Sequence, residues 1–180
     1  MVGFFQQNLF LILGSLSFIL FILLIYLWST YNSFIVRKNQ AKTDLSDIKV
    51  QVKRRADLIE RLAILVRDYA THEKGTFEEV ARARSALDTS KTVKDTARAE
   101  NMLTETLRSL FAVVENYPKL AANQNYLSLR DDLKETENLI AQYREEYNKS
   151  VQDYNNSIQT FPNLWTAFLF NFKEEEFFQP

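Results

Sequence analysis

The chain's one histidine, His72, stands beside Glu73 and shortly before Glu78 and Glu79. A histidine with nearby carboxylates can give a metal two ligands, but a protein metal site needs three or four that converge. His72 and Lys74 are also what the negative end of a helix dipole favours, and a solvated helix end is the expected role. A second candidate is the run Lys53, Arg54 and Arg55, three successive cations able to bind phosphate or acidic lipid. A third is the tyrosine ladder Tyr143, Tyr147 and Tyr154, with Asn148 and Asn155 beside two of its rungs. Redox use of those phenols would need a cofactor. Rings on a helix stripe normally fill a core, with hydroxyls reaching polar partners at its rim. Glu100 and Glu137 have the chemistry of a general acid and base, but carboxylates are common on helical surfaces and need a pocket to matter.

Composition removes most other chemistry. The 180 residues include no Cys, one His and three Gly, with 22 Lys+Arg against 23 Asp+Glu. Without cysteine there is no disulfide, thiolate metal site or thiol nucleophile. Glycine at positions 3, 14 and 75 leaves no place for a glycine-rich phosphate loop. A formal charge of -1 argues against nucleic acid as a partner. No catalytic residue, metal or cofactor is expected, and no small-molecule substrate is evident.

The elements that must carry these residues begin with an uncharged apolar run, residues 9–28, after a short segment 1–8. Leu9, Phe10, Leu20, Phe21, Leu27 and Trp28 typify it, and no ionisable charge occurs before Arg37. About 20 apolar residues rising 1.5 Å each match a hydrocarbon core of ~30 Å. A buried soluble helix would show a polar stripe, and this run has none. A cleaved signal peptide would need a basic start, a shorter apolar run and a small-x-small site, so a permanent transmembrane helix is expected. Tyr26, Trp28 and Tyr31 lie where an aromatic belt belongs. Arg37, Lys38 and Lys42 follow the run, so the positive-inside rule puts the following domain in the cytoplasm and the N-terminus outside.

From residue 29 to 162 the apolar period is helical. Leu45, Ile48, Val52, Ala56, Ile59, Leu62 and Val66 keep to one face, and the span is expected to run on into a stalk as far as a stop near Gly75, ~70 Å from the membrane. A short helix carries Phe77, Val80, Ala81, Arg84 and Leu87. Residues 88–96 read as a loop, where Thr92 and Asp95 form a capping-box pair for the next helix. That helix carries Ala99, Leu103, Leu110 and Val113 and stops before Pro118. After a connection through PKLAANQN, a fourth helix runs from Tyr126 to Ile158 with its apolar residues three or four apart. The fold class is all-α: an N-terminal transmembrane helix continuing into an antiparallel bundle of long helices. Residues 163–180 form an aromatic-rich tail.

Several stretches then resemble the LemA family. They are residues 47–55 with Asp57-Leu58-Ile59, Tyr69-Ala70, His72-Glu73-Lys74, Ala83-Arg84, Ala99-Glu100-Asn101 and Val113-Val114-Glu115-Asn116-Tyr117-Pro118. Glu135-Thr136-Glu137-Asn138, Tyr147-Asn148, Tyr154-Asn155, Phe161-Pro162 and Tyr31-Asn32 fit as well. The resemblance implies a bacterial protein with one N-terminal anchor and a four-helix bundle. It brings no established activity and no catalytic residue. The chain has Leu45 where the family often has Trp, and Glu60-Arg61 where it often has Pro-Asn, which predicts a straighter first helix.

What remains is surface. On a straight helix Lys53 would stand ~38 Å beyond Trp28, several Debye lengths from the lipid, so Lys53, Arg54 and Arg55 are expected to meet protein. Residues 37–55 hold seven basic against two acidic residues, and residues 130–153 four basic against seven acidic, so the two helices are complementary in charge. In the tail, Leu164, Trp165, Phe168, Leu169, Phe170 and Phe172 make a patch too apolar to leave in water. If the second and third helices reverse at 88–96, the tail returns to the membrane; if they run on, it must bury itself in a neighbouring copy or partner. The expected function is a non-enzymatic scaffold or adaptor in the bacterial cytoplasmic membrane. Its partners would be the lipid bilayer and a membrane or cytoplasmic protein, or further copies of itself. A lipid-remodelling module using the tail, and an enzyme or metal-binding domain, are the alternatives.

Overall fold

In a computed structural model, which describes residues 2–70 and 74–179 with side chains at 8, 11–70 and 75–179, these stripes become six helices. They are α1 (Val2–Arg67), α2 (Lys74–Asp88), α3 (Val93–Glu115), α4 (Pro118–Ala121), α5 (Gln124–Gln159) and α6 (Asn163–Leu169). All regular structure among the described residues is helical, as the period predicts. His72 and Glu73, and the side chains of Leu9, Phe10 and Lys74, lie outside the described residues. The chain divides into two compact units.

The first unit comprises residues 1–39 and 152–175. Its part of α1 is long and apolar enough to cross a membrane. Every large apolar side chain from Leu11 to Ile25 is exposed, Leu20 and Phe21 among them, and Trp28 is 71% exposed. Such a surface in water would forfeit about 25 cal/mol for every Å² left uncovered. A helix satisfies its own backbone hydrogen bonds, which makes it one of the few structures that can meet lipid instead. Beyond this stretch the unit has a small core of Phe34, Tyr154, Ile158 and Ala167, with Phe172 packed against it.

Residues 40–151 and 176–180 form the second unit. Its core takes Ile48, Val52, Ile59, Leu62 and Val66 from α1, each fully buried, as the sequence stripe predicts. Ala83, Leu103, Leu110, Leu120, Leu133, Ile140 and Val151 meet them from the other helices. Asp44 bonds to Ser150, Arg54 to Glu135 and Tyr69 to Asn123, so residue numbers fall along one strand of the pairing as they rise along the other. The α1 and α5 segments here are therefore antiparallel. Arg84 of α2 reaches Asp57 and Glu60, while Glu100 of α3 reaches Arg55. Both contacts fall on the same stretch of α1, so α2 and α3 double back as a hairpin.

The hairpin turns where the capping pair predicts. Thr92 Oγ1 accepts the Asp95 N–H at 3.1 Å, and Asp95 Oδ2 accepts the Thr92 N–H at 3.0 Å, a closed capping box. Hydrogen bonds from Thr92, and from the Lys91 N–H, hold the Asp95 carboxyl below the ordinary aspartate range. Two boundaries differ from expectation. Gly75 does not end the first helix: α1 stops at Arg67, where the Tyr69 and Ala70 N–H groups both turn back to the Val66 carbonyl, and Gly75 lies in the first turn of α2. The connection after α3 is also partly helical, because Pro118 suits a first helical position and opens the single turn of α4.

Candidate interaction surfaces

The site begins with the tail, whose residues 163–175 pack into the first unit. Tyr26 Oη donates to Asn163 Oδ1 at 2.7 Å, tying the start of α6 to the aromatic end of the apolar run. Tyr31 meets the edges of Phe170 and Phe172, with ring centroids 4.9 Å and 5.5 Å apart, and Phe34 meets Phe172 at 5.1 Å. Contacts of this edge-to-face kind are worth ~0.5–1.5 kcal/mol each beyond the area they bury. Within this unit α6 and the residues after it therefore lie beside residues 26–34 of α1.

What stops α6 could not be read from residue types alone. Asn171 takes a left-handed conformation, φ 55°. The Phe172 N–H reaches the Ala167 carbonyl at 2.9 Å and the Asn171 N–H reaches the Phe168 carbonyl at 3.3 Å, a Schellman end with asparagine in place of glycine. This end inverts the roles of the aromatic residues. Thr166, Ala167 and half-buried Phe172 face inward, while Leu164, Trp165, Phe168 and Leu169 are 50%, 72%, 89% and 64% exposed.

The tyrosine ladder fills cores, as expected, and the asparagines beside it do more. In the first unit Tyr154 is fully buried and its hydroxyl donates to the Lys173 carbonyl at 2.9 Å. Asn155 donates to the Glu175 carbonyl at 3.0 Å and accepts the Glu175 N–H at 2.9 Å. In the second unit Tyr147 is 2% exposed and donates to the Glu176 carbonyl at 2.7 Å. Asn148 donates to the Phe178 carbonyl at 3.2 Å and accepts the Phe178 N–H at 2.8 Å. Each asparagine thus satisfies both main-chain groups of one residue in an extended segment, reading backbone and not side chain. The signal for this was the Tyr-Asn pair repeated at a spacing of seven.

Charge is handled separately in each unit. Lys38 Nζ lies 2.7 Å from Glu175 Oε1. That hydrogen bond, against the cost of partial burial, raises the Lys38 pKa above its ordinary value. The lysine's contribution is therefore fully present at neutral pH and is lost as pH rises through the elevated lysine value. Burial chiefly pushes the Tyr154 hydroxyl up, and the nearby Lys38 charge opposes it. In the second unit Arg55 and Glu100 form a buried ion pair at 2.9 Å, their side chains 2% and 7% exposed. Thr104 Oγ1 also donates to Glu100 Oε1, at 3.3 Å.

The candidate residues are thus placed as follows. Arg55 is turned inward and paired, so outer contacts of the basic triplet fall to Lys53 and Arg54, both exposed. Arg54 makes a 3.4 Å contact with Glu135, a surface pair of little energetic weight. The charge complementarity of α1 and α5 thus yields one weak bridge in this unit, and the strong pair goes to α3. Arg37 and Lys42 are exposed. Glu100 and Glu137 do not converge: the first is buried on Arg55 and the second faces outward. Among the described residues, no three His, Cys, Asp or Glu side chains gather as metal ligands. A cleft of about 490 Å³ near Ala63, Ile64, Phe77 and Val80 has Glu60 and Arg84 on its rim, already paired with each other.

Comparison with known proteins agrees with this architecture. The LemA family model matches residues 44–180. The chain is 27% identical over 195 residues to magnetosome proteins MamQ 1 and MamQ 2 of Paramagnetospirillum magneticum, covering 94% of this chain and 71% of each relative. It is 26% identical over 197 residues to magnetosome protein MamQ of Magnetospirillum gryphiswaldense, covering 95% and 72%.

Proposed function

We propose that this chain, which belongs to the LemA family, is a membrane-anchored helical scaffold that presents its second unit to other proteins or to further copies of itself. The observation that carries this is how the bundle distributes its residues. Its inner face is filled by packed Leu, Ile and Val and by one ion pair, Arg55 with Glu100, whose charges neutralise each other. The outer face of α1 carries Val50 (61% exposed), Lys53, Arg54, Arg61 and Ile64 (49% exposed), a mixture of branched apolar and basic side chains. Catalysis requires polar groups converging on a concave, water-controlled site. A protein-binding face instead needs apolar anchors with a polar rim. The naming of its relatives as magnetosome proteins supports a place in a bacterial assembly.

The anchor is the apolar part of α1, and its flanks set the orientation. Every lysine and arginine follows the run, starting at Arg37, Lys38 and Lys42, so we place the bundle in the cytoplasm and the N-terminus outside. One experiment tests assembly and orientation together. Lysine-reactive cross-linkers are applied to intact cells, one membrane-permeant and one not. The permeant reagent is expected to shift the chain into larger adducts, and the impermeant one to leave every lysine side chain unmodified, with only the N-terminal amine within its reach. Lysine side chains modified by the impermeant reagent would reverse the orientation, and a lone monomer band with the permeant one would contradict the scaffold.

A further inference from the structure

We infer that α6 is a second membrane contact: its outer face, Leu164, Trp165, Phe168 and Leu169, inserts into the headgroup–acyl boundary of the same bilayer that the N-terminal run crosses. The inference rests on that run being a membrane span. Three observations within the first unit carry it. The hydrogen bond from Tyr26 to Asn163 fixes the start of α6 at the depth of the span's aromatic end, and the rings of Tyr31 and Phe34 hold the segment after it. The helix is sided, with Thr166 and Ala167 buried and the four large apolar side chains turned away from the protein. No charged residue occurs between Asp153 and Lys173, and charge resumes at once with Lys173, Glu174, Glu175 and Glu176.

This is the pattern that an interfacial segment requires. Trp and Phe are favoured at the headgroup level, where an apolar ring can lie in the acyl boundary. The exposed wall of Leu20, Phe21, Leu24 and Trp28 belongs to the same unit, so a bilayer that takes up the span meets a unit with a second apolar face of its own. A second copy of the chain would also cover such a patch, but a protein partner placed at the depth of Tyr26 would have to displace lipid to reach it. The Schellman end at Asn171 gives the segment its purpose here: it lets Phe172 turn back into the core while Phe168, one turn earlier, stays outside.

The chain has two tryptophans, Trp28 and Trp165, which makes the test direct. The full-length Trp28→Phe protein is reconstituted into phosphatidylcholine vesicles containing lipids brominated at shallow or deep acyl positions. Trp165 is expected to emit at short wavelength and to lose most of its fluorescence to the shallow bromines. The companion Leu164→Ser, Phe168→Ser double variant on the same background is expected to shift that emission to the red and open it to acrylamide, with helical circular dichroism unchanged. Blue emission that no brominated lipid quenches would show burial in protein and overturn the inference. Red, unquenched emission would place α6 in water and overturn it as well. In the reciprocal Trp165→Phe protein, Trp28 reports the span itself. Quenching of Trp28 without quenching of Trp165 would reject the α6 contact and leave the anchor standing, whereas loss of both would reject the anchor.

Discussion

Replacing Glu100 with Ala is expected to cost about 3–5 kcal/mol of stability, the cost of breaking a buried pair and leaving one charge unmatched. The partner left behind is Arg55, 2% exposed, whose Nε already lacks a hydrogen bond among the described residues. A guanidinium stays protonated at any accessible pH, so it cannot relieve the cost by losing its charge. Removing both charges should behave differently. The double variant Arg55→Met, Glu100→Leu keeps the volume apolar and is expected to be near neutral or more stable than the parent. Urea unfolding of the full chain in mild detergent, followed by helical circular dichroism, gives both numbers. If Glu100→Ala unfolded with the parent, the pair would not be buried as described.

Truncating Tyr147 to Ala should cost as much, ~3–5 kcal/mol, because it removes a buried ring from the core of the second unit. Tyr147→Phe separates ring from hydroxyl. It keeps the packing and loses the bond to the Glu176 carbonyl, for ~1 kcal/mol. Glu146→Ala and Lys149→Ala, on the exposed side of the same helix turn, should stay within about 0.5 kcal/mol. The same unfolding measurement applies. An unchanged curve for Tyr147→Ala would mean that the register of α5 is wrong.

Both sites show what residue order reveals and what it hides. The stripe Ile48, Val52, Ile59, Leu62 and Val66 was legible because a helix repeats every 3.6 residues, so burial is written into spacing. The capping pair Thr92 and Asp95 was legible because its contacts span only three residues. Arg55 was not distinguishable from Lys53 and Arg54 as a charge. Its position, three residues after Val52 and four before Ile59, put it on the buried face, but Glu100 is distant in sequence and no local pattern pairs them. Of the two asparagine clamps only the Tyr-Asn repeat on α5 was visible: the extended segment 173–179 that they hold has no period to mark it as their partner. Gly75 misled because glycine marks helix starts as well as ends, and only the turn at Val66 decides which. The tail's position depended on whether α2 and α3 reverse, a question of topology that spacing leaves open.

We propose a scaffold that works as part of an assembly, with no chemistry of its own expected. The measurement that tests it most directly is the mass of the full-length protein extracted from its native membrane into lipid nanodiscs, with metal and small-molecule content determined on the same sample. The expected particle contains more protein than one 21.1 kDa chain, as further copies or a partner in fixed ratio, and no stoichiometric ligand. A homogeneous particle with one chain and one bound metal ion or small molecule per chain would contradict it.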